Sequence, residues 1–224
     1  VGGATELKVK VTDIAGVVPA SGVSAVSLNV TVAQPEGSGY VTVYPCGTRP
    51  EVSSVNYVAG QVVANAVIAP VSADGEICLY SFAQTHLLAD INGYFPVGTG
   101  FTAVAPDRVF DTRPGVADGL RVVAKQKVGG ATELKVKVTD IAGVVPATGV
   151  GAVSLNVTVA QPEGSGYATV YPCGTRPEAS NLNYVAGQVV ANAVIAPVSA
   201  DGEICLYSFA PAHLLADING YFPG

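Results

Sequence analysis

The chain has 224 residues, of which 12% are charged and 49% hydrophobic, and carries a net charge of −6. Its Lys and Arg residues are scattered rather than gathered into a basic patch, which argues against nucleic acid as a partner. No apolar run approaches the roughly 18–20 residues of a bilayer span, which argues against membrane insertion.

The local pattern has period two from the start. Glu6-Leu-Lys-Val-Lys-Val-Thr12 alternates polar and apolar side chains, as a half-buried strand does. Next, Val26, Leu28, Val30 and Val32 alternate with Ser27, Asn29 and Thr31. Residues 40–44 and 76–82 repeat the idea, while 61–71 and 86–95 are more continuously apolar, which predicts central strands covered on both faces. Turn signals fall at Pro35–Gly39, Pro45–Pro50, Ser72–Gly75 and Asn92-Gly93. Asp74-Gly75, between Val71 and Ile77, reads as a hairpin.

The same text then recurs. Residues 1–96 and 128–223 align without a gap, differing only at Ser21/Thr148, Ser24/Gly151, Val41/Ala168, Val52/Ala179, Ser54/Asn181, Val55/Leu182, Gln84/Pro211 and Thr85/Ala212. A repeat this long is a domain, not a solenoid turn of about 20–50 residues. With no helical stripe and seven to nine strands per copy, the predicted class is all-β. The chain reads as two tandem β-sandwich domains, with a jelly roll or small barrel as the alternative. The predicted domains are 1–97, a copy lacking its N-terminal segment, and 128–224, a copy made complete by 101–127.

Residues 98–127 occur once. Phe101, Val104, Val109, Phe110, Leu120, Val122 and Val123 ask for burial, so the segment reads as one or two further strands rather than a flexible tether. Its charges are Asp107, Arg108, Asp111 and Arg113. Spacing of two places Asp107, Val109, Asp111 and Arg113 on one face. The cluster reads as ion pairs, with Arg49 and Arg176 as candidate partners for Asp111, or as a site for an anionic or sugar group. Phe101, Asp107, Arg108, Phe110, Asp111 and Arg113 are the candidate assembly residues.

Each copy holds one cysteine pair 32 residues apart: Cys46 with Cys78, and Cys173 with Cys205. No C-x-x-C spacing suggests zinc. Disulfides within each pair are expected, with free buried thiols as the alternative, and they imply an oxidising, extracellular location. There is no signal peptide and no Met, so the chain reads as a mature or excised piece of a longer precursor.

Several motifs together resemble a known domain. They are Asp107-Arg-Val-Phe-Asp-Thr-Arg113, Val153-Ser-Leu-Asn-Val-Thr158, Gly166-Tyr-Ala-Thr-Val-Tyr-Pro-Cys-Gly174, Asn183-Tyr-Val-Ala-Gly-Gln188, His213-Leu-Leu-Ala-Asp217 and Gly220-Tyr-Phe222. The set is similar to a tandem domain of secreted and cell-surface proteins of actinobacteria and some other bacteria. The resemblance covers 101–223, and 1–96 without the opening motif. It implies an extracellular repeat module, and it supplies no catalytic residue.

Catalytic candidates are few. His86 and His213 lack a nucleophile and an orienting carboxylate, since Asp90 lies roughly 13 Å along the strand from His86. They read as strand-edge histidines bonded to backbone. Asp90-Ile-Asn-Gly93 lacks the carboxylates of a calcium loop and reads as a turn. Asn29 and Asn156 head sequons inside strands, where a glycan does not fit. The ten tyrosines read as core or interface filling, with sugar binding as the alternative. No catalytic group, metal or cofactor is predicted.

Two long blocks and one short segment then suggest a function. A block without the segment has a sticky, unpaired edge that another molecule can complete. The leading expectation is a non-enzymatic, secreted structural repeat that joins copies of itself head to tail into a surface filament, stalk or sheath. The alternative is an adhesion module that binds cell-wall polysaccharide.

Overall fold

The computed structural model describes residues 1–98 and 100–224, and they fold as all-β with no helix. Two compact units divide the chain, Val1–Pro106 and Asp107–Gly224.

Unit 1 contains β1 (Thr5–Lys10), β2 (Val23–Ala33), β3 (Gly39–Pro45), β4 (Val55–Tyr57), β5 (Val62–Pro70), β6 (Glu76–Ser81) and β7 (His86–Pro96). They form two antiparallel sheets, ordered β1-β6-β3-β4 and β5-β2-β7. The period-two alternation explains the packing. Val26, Leu28, Val30 and Val32 of β2 turn inward, and so do Val41 and Val43 of β3, Val67 and Ala69 of β5, and Ile77 and Leu79 of β6. These residues make the single core between the two sheets, the arrangement of a β-sandwich.

The strand β8 (Thr102–Asp111) comes next, and the division between the units falls inside it. Unit 2 then repeats the plan. It contains β9 (Thr132–Lys137), β10 (Val150–Ala160), β11 (Gly166–Pro172), β12 (Leu182–Tyr184), β13 (Val189–Pro197), β14 (Glu203–Ser208) and β15 (His213–Pro223). One sheet is ordered β12-β11-β14-β9. The other has four strands, β13-β10-β15-β8, where its counterpart in unit 1 has three.

Both predicted disulfides are present. Cys46–Cys78 and Cys173–Cys205 each join the strand end after β3 or β11 to β6 or β14, with Cα atoms 4.9 Å apart. A buried tyrosine fastens each short strand. Tyr57 Oη lies 2.9 Å from Ser81 Oγ and accepts the Ala83 N–H at 3.0 Å. Tyr184 does the same with Ser208 and Ala210.

Three sequence expectations need correction. Asp74-Gly75 does form a tight turn, in which Gly75 N donates to Ser72 O at 2.9 Å, but the turn is not a hairpin. It carries the chain from one sheet to the other, since β6 pairs with β1 and β3 rather than with β5. Asn92-Gly93 is not a turn either. It lies within β7, where the register against β2 shifts between Ser27 and Leu28, a β-bulge that keeps an eleven-residue strand running. Finally, β5 is an edge strand, with Val62 67% exposed. β2 is the central strand instead, because the wholly inward face that a sandwich core needs lies in its strict alternation.

Candidate functional site

The site is best described first where it is filled. In unit 2, β8 lies beside β15, and the chain beyond it bonds back to that strand. Thr112 N donates to Leu214 O at 3.0 Å, and Leu214 N donates to Thr112 Oγ1 at 2.9 Å. Val109, Phe110, Asp111 and Thr112 are all buried. The strict alternation expected for this segment therefore fails at its end, where four successive side chains are enclosed.

The charges pair with one another. Asp111, fully buried, receives Arg108 Nη1 at 2.6 Å, Arg113 Nη2 at 2.7 Å and the Arg113 backbone N–H at 2.9 Å. Arg108 Nε also donates to Asp217 of β15. Two guanidinium groups thus meet two carboxylates. Burial alone would raise the Asp111 pKa, but the bonds from Arg113 and the charge of Arg108 outweigh it and hold the carboxyl below the ordinary value. Asp107 stands outside the cluster, exposed, with its Oδ1 accepting the Arg108 N–H at 2.8 Å. Arg49 and Arg176 do not reach Asp111. Their guanidinium carbons lie 3.7 Å and 4.0 Å over the rings of Tyr80 and Tyr207. Each guanidinium has a π face in its own unit, so neither needs a distant carboxylate. Phe101 belongs to unit 1, where it is buried with its ring 4.6 Å from that of Phe95.

Residues beyond the cluster complete the arrangement, and its cationic anchors Arg121, Lys125 and Lys127 belong to no motif. No second strand forms between Asp111 and β9; an irregular strap runs from 112 to 127. Leu120 N donates to Arg108 O at 2.8 Å, and Arg121 N donates to Val109 O at 2.7 Å. Arg121 then reaches the end of β9 and the loop after it, donating to Lys137 O at 2.9 Å, Thr139 O at 2.6 Å and Asp140 O at 2.7 Å. Lys125 Nζ donates to Asp111 O at 2.9 Å, and Lys127 Nζ meets Glu163 at 3.0 Å. The strap presses so closely on β8 that a Cβ at Gly119 would lie 2.4 Å from Arg108 O. Val122, expected to be buried, is 78% exposed, because the strap is anchored by its polar residues rather than by its apolar ones.

In unit 1 the same edge is open. Among the described residues no strand pairs with the far side of β7. His213, Leu214, Leu215, Ala216, Asp217 and Ile218 of β15 are buried, whereas His86, Leu88, Ala89 and Asp90 of β7 are exposed. Leu88 is 52% exposed and its counterpart Leu215 only 3%. Asp217 is 3% exposed and meets Arg108; among the described residues no cation pairs with Asp90. The two strands have identical sequences, so the difference comes entirely from what covers them.

Other candidates carry no chemistry of their own. His213 is buried, with Nδ1 3.3 Å from Thr112 Oγ1, and burial holds its pKa below the ordinary histidine value. Among the described residues no group of His, Cys, Asp and Glu is arranged to hold a metal ion. Tyr44 and Tyr171 hydrogen-bond Glu6 and Glu133. Burial and that bond raise both phenols, Tyr171 to about 12. No helix is long and apolar enough to cross a membrane.

Compared with protein-family models, curated proteins and solved structures, the chain matches none.

Proposed function

We propose that this is a non-enzymatic extracellular structural repeat, a building block of a surface filament, stalk or sheath whose units join head to tail by strand complementation. The observation that carries this reading is the contrast between β7 and β15, identical strands of which one is open and the other covered. An open edge with an apolar flank is a template for another chain. The two disulfides suit an oxidising exterior, and the resemblance to secreted actinobacterial repeats points the same way. Growth head to tail needs a segment of the same kind as 98–127 for each open β7 edge, since two β7 edges that pair with each other close a dimer.

Sedimentation velocity and negative-stain microscopy of the purified chain test this. The expected result is concentration-dependent association, abolished by Leu88→Lys, which places a charge on the exposed edge. A monomer at all concentrations, with unit 1 as stable as unit 2, would contradict it.

A second reading has an observation of its own. Tyr40 stacks on Phe82 at 5.6 Å, Phe82 is 53% exposed, and Tyr167 and Phe209 repeat the pair. An exposed aromatic strip of this kind can stack on the faces of sugar rings. Retention on insoluble cell-wall polysaccharide, lost in the Phe82→Ala/Phe209→Ala variant, would favour an adhesion module.

A further inference from the structure

Resting on the second reading above, we propose that each unit carries a binding site for an acidic polysaccharide. A row of three aromatic rings receives the sugar faces, and an arginine at the end of the row, Arg49 or Arg176, receives a carboxylate of the same chain.

The strand pattern builds the row. Val41 and Val43 of β3 and Ile77 and Leu79 of β6 fill the core, so Tyr40 and Tyr80 stand on the outer face of their sheet, with Phe82 just past the end of β6. Phe82 N donates to Tyr40 O at 3.0 Å, which sets the two side chains next to each other. The ring centroids of Phe82 and Tyr40 are 5.6 Å apart, and those of Tyr40 and Tyr80 are 6.0 Å apart. In unit 2 the spacings from Tyr167 to Phe209 and to Tyr207 are 5.6 Å and 5.8 Å. A Cβ at Gly39 would lie 3.1 Å from Phe82 Cβ and Cδ1, so the glycine lets the ring settle close to the backbone. The ring is thus held in place and still exposed.

The far end of the row carries the charge. Arg49 sits over Tyr80 and Arg176 over Tyr207, and Arg176 Nη1 reaches Tyr167 Oη at 3.5 Å. A ring face positions a guanidinium without cancelling its charge. Among the described residues neither arginine joins an ion pair, although carboxylates outnumber cations in the chain. Glu6, opposite Tyr80 in the strand register, accepts the Tyr44 hydroxyl instead, and Glu133 accepts that of Tyr171. The disulfide fixes the arrangement. Cys46 is bonded to Cys78 of β6, and Arg49 follows three residues later, so the bridge holds the guanidinium beside a ring two residues along β6.

These parts call for a ligand that combines flat apolar faces with negative charge. A pyranose offers C–H groups to an aromatic face and hydroxyls to a phenol, and a uronic acid adds the carboxylate that a guanidinium binds through two N–H groups. A neutral polysaccharide leaves the arginine unused, and an acidic peptide leaves the ring faces unused.

The test titrates the intact chain with a short oligogalacturonate and with its methyl ester, which keeps the sugar and removes the charge. Calorimetry is expected to give two oligosaccharides per chain, with the acid bound about tenfold more tightly than the ester. Arg49→Gln/Arg176→Gln should abolish that preference and leave binding of the ester unchanged. Both arginines are exposed, so the substitutions leave the fold intact. Acid bound no better than ester, or a preference that survives the double substitution, overturns the proposal and leaves sugar stacking standing. Poly-glutamate bound as tightly as the oligogalacturonate also overturns it, because charge alone then accounts for the binding. No binding of either oligosaccharide overturns it as well, and retention on insoluble cell-wall polysaccharide then decides the second reading by itself.

Discussion

At the scale of single residues, a few positions carry stresses that the repeat makes visible twice. Gly75 has φ +77°, and a Cβ there would lie 1.9 Å from Thr12 Oγ1; Gly202 meets Thr139 in the same way. Gly75→Ala should therefore cost unit 1 about 1–3 kcal/mol, read as a lower melting temperature for that unit alone. His213 gives a pH signature. Its pKa in the folded chain is lowered by burial, so the unfolded chain binds the proton first. The resulting stability is complete above about pH 6.5 and declines as pH falls through that value toward the folded pKa. Melting of unit 2 should shift downward between pH 7.5 and pH 5.5, and His213→Gln should flatten that slope; an unchanged slope would place its origin elsewhere. Asp111 acts at lower pH. Its depressed pKa contributes stability that is present above the ordinary carboxylate range and lost as pH falls below it.

At the scale of elements, the strands were readable because period two is written plainly in β1, β2, β3 and β6. The disulfides were readable because one pair per copy leaves little choice. In the chain-entropy model, closing each loop contributes about 3–4 kcal/mol. The Cys46→Ser/Cys78→Ser variant should lose that much from unit 1 in urea unfolding, and a loss below about 1 kcal/mol would show that the bridge merely decorates a stable sheet. What the sequence hid was context. Asp74-Gly75 announces a turn but cannot say which sheet receives the strand after it. The continuous apolar run of 86–95 is covered in one copy and bare in the other, because burial depends on a neighbour that the strand itself does not encode. Nor did spacing reveal Arg121 and Lys125 as anchors of the strap, since both act on backbone carbonyls and carry no motif. The segment 98–127 was legible as something that wants to be buried, whereas its division into one strand and one irregular strap was not.

At the scale of the whole molecule, two units that differ at eight aligned positions contrast most in the cover over β7 and β15. Fully burying one leucine side chain is worth about 1.5–3 kcal/mol, and unit 1 forgoes about half of that at Leu88 alone. Unit 1 should accordingly melt first, giving two calorimetric transitions rather than one. The most direct test supplies unit 1 with the segment that covers unit 2. Val1 N donates to Thr85 O at 2.8 Å and Val1 O accepts from Thr85 N at 3.1 Å, the pairing that Val128 makes with Ala212. A second copy of residues 101–127 fused ahead of Val1 therefore enters unit 1 along the same route. Differential scanning calorimetry of this extended chain should show the lower transition rising to merge with the upper one. A lower transition that stays where it was would mean that the edge of unit 1 has no use for the segment, and would contradict the account at its centre.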